Sequence, residues 1–141
     1  MGFFKKSKKE KAPIIQKTWK ITSKCLNLIL EVSKSNYPKE FGGLLRVDNN
    51  LKDTITEIVI LPGTISGDSH AIFQLHMLPI DFSIVGTVHS HPSPVPRPSE
   101  ADLHLFEKFG RVHMIIAYPF DKNSWKAYDY RGNEIQISIV K

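Results

Sequence analysis

His89 and His91 stand one residue apart, and Pro92 follows directly. Residues 84–89 read as a strand leading into them. Successive side chains on a strand alternate between faces, so the two imidazoles project to one side and Ser90 to the other. Proline cannot donate to a sheet ladder, so the strand is expected to stop at Pro92. Pro94, Pro96 and Pro98 then stiffen the chain, because proline locks φ and lowers the entropy lost when a loop is ordered. A loop of that kind can return Asp102 to the histidines in a fixed position. Two imidazoles and one carboxylate, with a fourth position open to water, are the donor set of a catalytic zinc site. Softer metals call for thiolates, and none is near.

Each piece alone has a plainer reading. Ser99-x-x-Asp102 is close to a capping box, which starts a helix by bonding free backbone N–H groups. A His-x-His pair on a strand is more often incidental than functional. The combination of same-face histidines, a rigid loop and a carboxylate at a helix start is what favours a metal, and a cap and a ligand can coexist in one turn. Cys25 sits in an apolar stripe and reads as a core side chain, not as a nucleophile.

The elements that must position these groups follow from periodicity. Cys25, Leu28, Ile29 and Val32 recur at i, i+3, i+4 and i+7, one face of a helix, with Leu26 and Leu30 widening it. Residues 33–38 end that helix, because a proline disfavours helical geometry in the residue before it. Residues 44–47 and 55–61 read as strands around a polar turn at Asp48, Asn49 and Asn50. Residues 62–70 read as a mobile loop and 71–75 as a short strand. Residues 99–109 look helical, with Gly110 as the stop. Residues 112–118 read as a buried strand and 125–128 as another. Residues 135–140 alternate isoleucine with polar residues, the mark of a half-buried strand. The expectation is one mixed α/β domain over residues 13–141, with a central mixed β-sheet flanked by helices.

Composition narrows the function. A chain of 141 residues buries roughly two-thirds of the surface its unfolded form exposes, so it needs no disulfides. With 41% hydrophobic and 23% charged residues it has the profile of a soluble globular protein. Its single cysteine, Cys25, allows no internal disulfide, which fits a reducing, cytoplasmic setting. No apolar stretch is long enough for a transmembrane segment, and no signal peptide is evident. Met1-Gly2 begins like a myristoylation signal, but Lys6 stands where Ser or Thr is required. The net charge is +5, of which residues 1–11 hold +4 through Lys5, Lys6, Lys8, Lys9 and Lys11 against Glu10. Residues 1–12 therefore read as a disordered basic tail on a nearly neutral body. Specific nucleic-acid binding would need that charge on a folded face.

The segment His89-x-His91-Pro92, followed by Ser99-x-x-Asp102, resembles the signature of JAMM metallopeptidases, the JAB or MPN-plus domains. The ten residues between His91 and Asp102 match the family spacing. Upstream, Pro38-Lys39-Glu40-Phe41-Gly42-Gly43-Leu44-Leu45 is similar to the family segment that carries its catalytic glutamate. The likeness runs from about Thr22 to the C-terminus and is nearest to small, single-domain archaeal and bacterial members. It implies a cytidine-deaminase-like JAB/MPN fold with one zinc ion per chain, held by His89, His91 and Asp102. It implies Glu40 as general base and then general acid, and Ser99 as an oxyanion donor. The residues alone do not single out Glu40, because Glu31, Glu57, Glu100 and Glu107 compete with it. The resemblance further implies hydrolysis of amide bonds at the C-terminal tail of ubiquitin-like modifiers and their conjugates. An extended tail of that kind is expected to lie along a strand edge near the zinc.

His104 matches one ligand of a second, structural zinc found in some relatives. No cysteine follows it, so it reads as a partly exposed helix histidine, and His70, His76 and His113 receive the same reading. Three alternatives remain open: a peptidase that trims sulfur-carrier proteins, a non-catalytic MPN scaffold, and a RadC-like DNA-associated protein. The last usually has Asn where this chain has Ser90 and Gly where it has Pro94.

Overall fold

The computed structural model describes residues 18–60 and 81–141. The basic tail, the loop at 62–70, the strand at 71–75, and His70 and His76 lie outside the described residues. In chain order the described elements are β1 (Trp19–Thr22), α1 (Ser23–Asn36), β2 (Gly42–Val47), β3 (Thr54–Ile60), β4 (Ile84–His91), α2 (Glu100–Lys108), β5 (Val112–Ala117), β6 (Trp125–Tyr128), β7 (Glu134–Ile135) and β8 (Ile137–Val140).

The strands form one mixed sheet in the order β7-β6-β5-β4-β2-β3-β1-β8. β1 runs parallel to β3 and β8, and β4 runs parallel to β5. β2 pairs antiparallel with both β3 and β4, and β6 antiparallel with β5 and β7. The parallel β4–β5 pair needs a crossover, and α2 supplies it. That connection closes tightly. A Cβ on Gly86 would collide with the Val112 carbonyl oxygen, and Gly110 turns the chain after α2 at φ +112°. Only glycine fits a position with that contact or that backbone angle.

Two expected elements differ. Residues 135–140 do not form one strand: Gln136 breaks the run, β7 pairs with β6, and β8 pairs with β1. Only that residue separates β7 from β8, yet they occupy opposite ends of the strand order, so the sheet curls until its two edges meet. Periodicity along one segment carries no information about which partner each half takes. The sequence reading also lacked β1. Four residues with Lys20 and Thr22 among them give too short an alternation to stand out.

Alternation divides the side chains of the sheet between two sides. Phe41, Leu45, Val88, Met114, Ile116 and Ala127 enter the main core with the buried face of α1. Ile115, Tyr128 and Phe106 of α2 form a second, smaller cluster. On α1 the buried residues are Cys25, Leu26, Ile29, Leu30 and Ser33. The stripe is thus rotated from the expected one: Leu28 is 49% exposed, while Leu26 and Leu30 carry the packing. Each leucine or isoleucine fully buried there stabilises the fold by roughly 1.5–3 kcal/mol. Thr22 caps α1, its side chain accepting the Cys25 N–H at 3.1 Å, an arrangement typically worth about 1 kcal/mol.

Candidate metal centre

β4 carries His89 and His91 on the α2 side of the sheet. Its neighbours fix them there: His89 lies opposite Gly42 of β2 and Ile115 of β5, and His91 lies opposite Ala117. Ser90 does project to the other side, where it is buried. Its hydroxyl accepts the Phe41 N–H at 2.8 Å, and its own N–H donates to the Phe41 carbonyl at 2.9 Å. This double bond between segments extends the β2–β4 pairing past Gly42. The continued register places Glu40 beside His91, on the histidine side.

β4 ends at His91, as Pro92 requires, and the proline-rich loop leads to Ser99, the N-cap of α2. The capping box is complete. Ser99 Oγ accepts the Asp102 N–H at 3.1 Å, and Asp102 Oδ2 accepts the Ser99 N–H at 2.8 Å. The cap therefore fixes the carboxylate and leaves its Oδ1 facing His89.

The Nε2 atoms of His89 and His91 are 3.2 Å apart. His89 Nε2 is 3.1 Å from Asp102 Oδ1, and His91 Nε2 is 3.4 Å from Asp102 Oδ2. Donors placed tetrahedrally at zinc bond lengths of ~2.0–2.1 Å lie about 3.3–3.4 Å from one another. The separation of the two imidazole nitrogens is close to such an edge, and one ligand atom from each of the three side chains lies within 4.8 Å of the others, so the donor set suits a single zinc ion in reach as well as in chemistry. His91 Nδ1 lies 3.3 Å from the Val95 carbonyl. A carbonyl only accepts, so Nδ1 holds the proton and Nε2 of the neutral ring offers its lone pair to the cluster.

The electrostatics follow from this crowding. Burial pushes the Asp102 carboxyl upward. Hydrogen bonds from His89 and His91, with the Ser99 N–H, outweigh burial and hold it well below the usual carboxylate range. When the ring is protonated, His91 Nε2 donates instead to Asp102; that bond raises the pKa of His91 against the opposing pull of burial, and the charge of Glu40 adds to the rise. Glu40 is thus within electrostatic reach of the cluster. Side-chain exposures of 12% for His89 and 16% for His91 and Asp102 leave the centre mostly desolvated but open to water.

The structure brings His89, His91 and Asp102 together and sets Glu40 and Ser99 at their border. His104 is exposed on α2. His113 differs from its expected exposure: it is fully buried on β5, with Nδ1 2.7 Å from Thr87 Oγ1 and Nε2 3.2 Å from the Gly110 carbonyl. Burial lowers its pKa to about 4, so the ring is neutral. Two side chains around the centre escaped the sequence reading, Ser90 and Thr87. The polar series Thr87, His89, His91 at period two was the available sign for Thr87. Ser90 had none, because its partner is a distant backbone.

Residues 22–129 match the family model of prokaryotic homologs of the JAB domain. The chain belongs to this family. A probable metalloprotease of Haloferax volcanii is 36% identical to this JAB-domain chain over 127 residues, covering 85% of it and 78% of the relative. A solved structure described as a JAMM metalloprotease-like zinc site in the proteasome and signalosome superposes with a TM-score of 0.69 at 40% identity, covering 88% of this chain and 99% of that one. A JAB1/MPN domain protein from Archaeoglobus fulgidus gives a TM-score of 0.70 at 43% identity, covering 86% and 99%. The chain is accordingly a metalloprotease of the JAMM type, and its cofactor is zinc. Among the described residues, no helix is long and apolar enough to cross a membrane.

Proposed function

We propose that this JAB domain is a zinc-dependent isopeptidase or peptidase that hydrolyses amide bonds at the C-terminal tail of ubiquitin-like modifiers. The observation that carries the reading is the convergence of two imidazoles and one carboxylate at mutual separations of 3.1–3.4 Å, with Glu40 beside them. His89, His91 and Asp102 hold the metal, one ion per chain. Bound zinc supplies Lewis acidity and makes a water acidic near neutral pH. Glu40 takes the proton of the attacking water and passes it to the leaving amine, which departs poorly without it. Ser99 Oγ already accepts the Asp102 N–H, yet a hydroxyl keeps its own proton to donate. That donation stabilises the developing oxyanion, and losing such a donor typically costs about 3–4 kcal/mol of barrier. No step passes through Cys25, whose thiol is pushed up to about 12 by burial and by Glu57.

The substrate class rests on the family resemblance. β4 is paired on both sides, with β2 and with β5, so among the described strands the one carrying the histidines leaves no edge for strand addition. The free, buried Cys25 supports a cytoplasmic setting.

The test is a panel of lysine-linked modifier conjugates and C-terminally extended sulfur carriers, each with and without a chelator. Chelator-sensitive cleavage of the lysine-linked conjugates is expected. Cleavage of extended carriers alone would replace this reading with carrier processing. Failure to cleave either, in protein containing zinc, would end it.

A further inference from the structure

Tyr128 ends β6 on the metal side of the sheet and is 6% exposed. Its hydroxyl donates to the Pro96 carbonyl at 2.6 Å. Pro96 follows Val95, whose carbonyl accepts from His91 Nδ1 at 3.3 Å. The Tyr118 N–H holds the start of the loop at the Ser93 carbonyl, 3.0 Å away, but beyond it Pro94, Pro96 and Pro98 have no N–H to donate, and Val95 is 45% exposed. The phenol is therefore a tie from the sheet to the segment that orients one imidazole of the centre.

The ring of Tyr128 belongs to a column that reaches the other two ligands. Tyr128 stacks on Phe106 with centroids 6.0 Å apart, and Phe106 stacks on His113 at 4.3 Å. Phe106 lies one turn after Asp102 on α2. His113 bonds Thr87, two residues before His89 on β4. Every chain segment that brings a ligand thus touches the column, and within the column it is the phenol hydroxyl that reaches the loop beside His91. Burial, with Glu134, raises the pKa of the phenol and keeps it a donor.

We infer that Tyr128 is a positioning residue for the metal: by holding Pro96 it fixes the Val95 carbonyl and, through it, the tautomer and ring orientation of His91. This inference rests on the reading that His91 is a zinc ligand. Partners of that kind, which bond the far nitrogen of a ligating histidine, typically contribute 10–100-fold to metal affinity.

The test uses the full chain with Tyr128→Phe, which keeps the ring and its stacking and deletes only the O–H. Zinc affinity is measured by competition with a chromogenic chelator, the visible spectrum is recorded on the cobalt-loaded protein, and the melting temperature on the metal-free protein. Because Tyr128 acts through the Val95 carbonyl, zinc binding is expected to weaken by about 10-fold, the lower end of the effect of losing a direct partner, with a changed cobalt spectrum and a metal-free melting temperature close to the parent's. Unchanged zinc affinity would overturn the inference. So would a fall in metal-free stability large enough to account for the whole zinc loss, since the bond would then be a structural one only. His91→Ala is run in parallel. Parental zinc affinity in that variant would remove the ligand reading itself, whatever Tyr128→Phe does.

Discussion

The two sides of the sheet are built on different terms. Against α1 lies a continuous apolar core in which Trp19, Ile21, Leu26, Ile29, Phe41 and Leu45 are all buried. Against α2 the described apolar cluster is Phe106, Ile115 and Tyr128, and the space around it holds Thr87, His113 and the three metal-site side chains. Hydrophobic burial is non-directional and scales with area, so the first side supplies stability without specifying any one contact. Hydrogen bonds and ring stacking are directional, so the second side supplies geometry. A metal centre needs side chains fixed to within a fraction of an ångström, and it stands on the side where directional contacts dominate.

That division makes stability and chemistry separable by substitution. The largest effect is expected from Glu40→Gln, which should lower turnover by about 10²–10⁴-fold while zinc content and melting temperature stay at parental values. Full activity in that variant would mean that another group moves the proton. Next, Ile29→Ala on the apolar side should cost about 2–5 kcal/mol in a denaturant titration, with zinc still bound by the folded fraction. If that variant lost zinc in proportion to stability, the two sides would not be independent.

A third effect probes the polar inclusions. The folded state holds His113 at a pKa of about 4 against an ordinary 6.5. The unfolded chain takes up that proton at higher pH. The group's contribution is therefore complete above the ordinary value and is lost as pH falls through the folded one, by about 3 kcal/mol in total. Metal-free parent and His113→Gln, compared by denaturant titration at pH 7.5 and at pH 4, should differ in pH slope by that amount. Identical slopes would mean that the buried ring is already charged in the fold. The smallest effect is expected at Leu28, half exposed on the outer side of α1. Leu28→Ala should stay within about 0.5 kcal/mol of the parent, against the large loss at Ile29 one position on.

The same division explains what the sequence made legible. His89 and His91 could be placed on one side because strand period fixes orientation locally, and the prolines and the Ser99 cap fixed the return of Asp102 within a dozen residues. Glu40 could not be placed that way. Its position depends on the β2–β4 register and on the Ser90–Phe41 bonds, contacts spanning 49 positions, and only the family resemblance pointed to it. The α1 stripe was rotated because Leu26 and Leu28 have equal apolar character, and which of them packs is decided by the sheet beneath. The burial of His113 depended on Thr87 and Gly110, and the hold on Pro96 by Tyr128 spans 32 positions. No local pattern encodes either.

The one-residue link at Gln136 has a mechanical outcome. β7 pairs with β6 and β8 pairs with β1, so the two ends of the strand order are tethered like the rim of a closed hoop. The rim at β6 and β7, where Lys126 and Glu134 line a cavity of about 540 Å³ together with the proline loop, cannot swing outward alone. Displacing it pulls on β8 and β1 and strains the apolar core behind them. A substrate seated in that cavity then meets a wall whose shape is held from the far edge of the sheet.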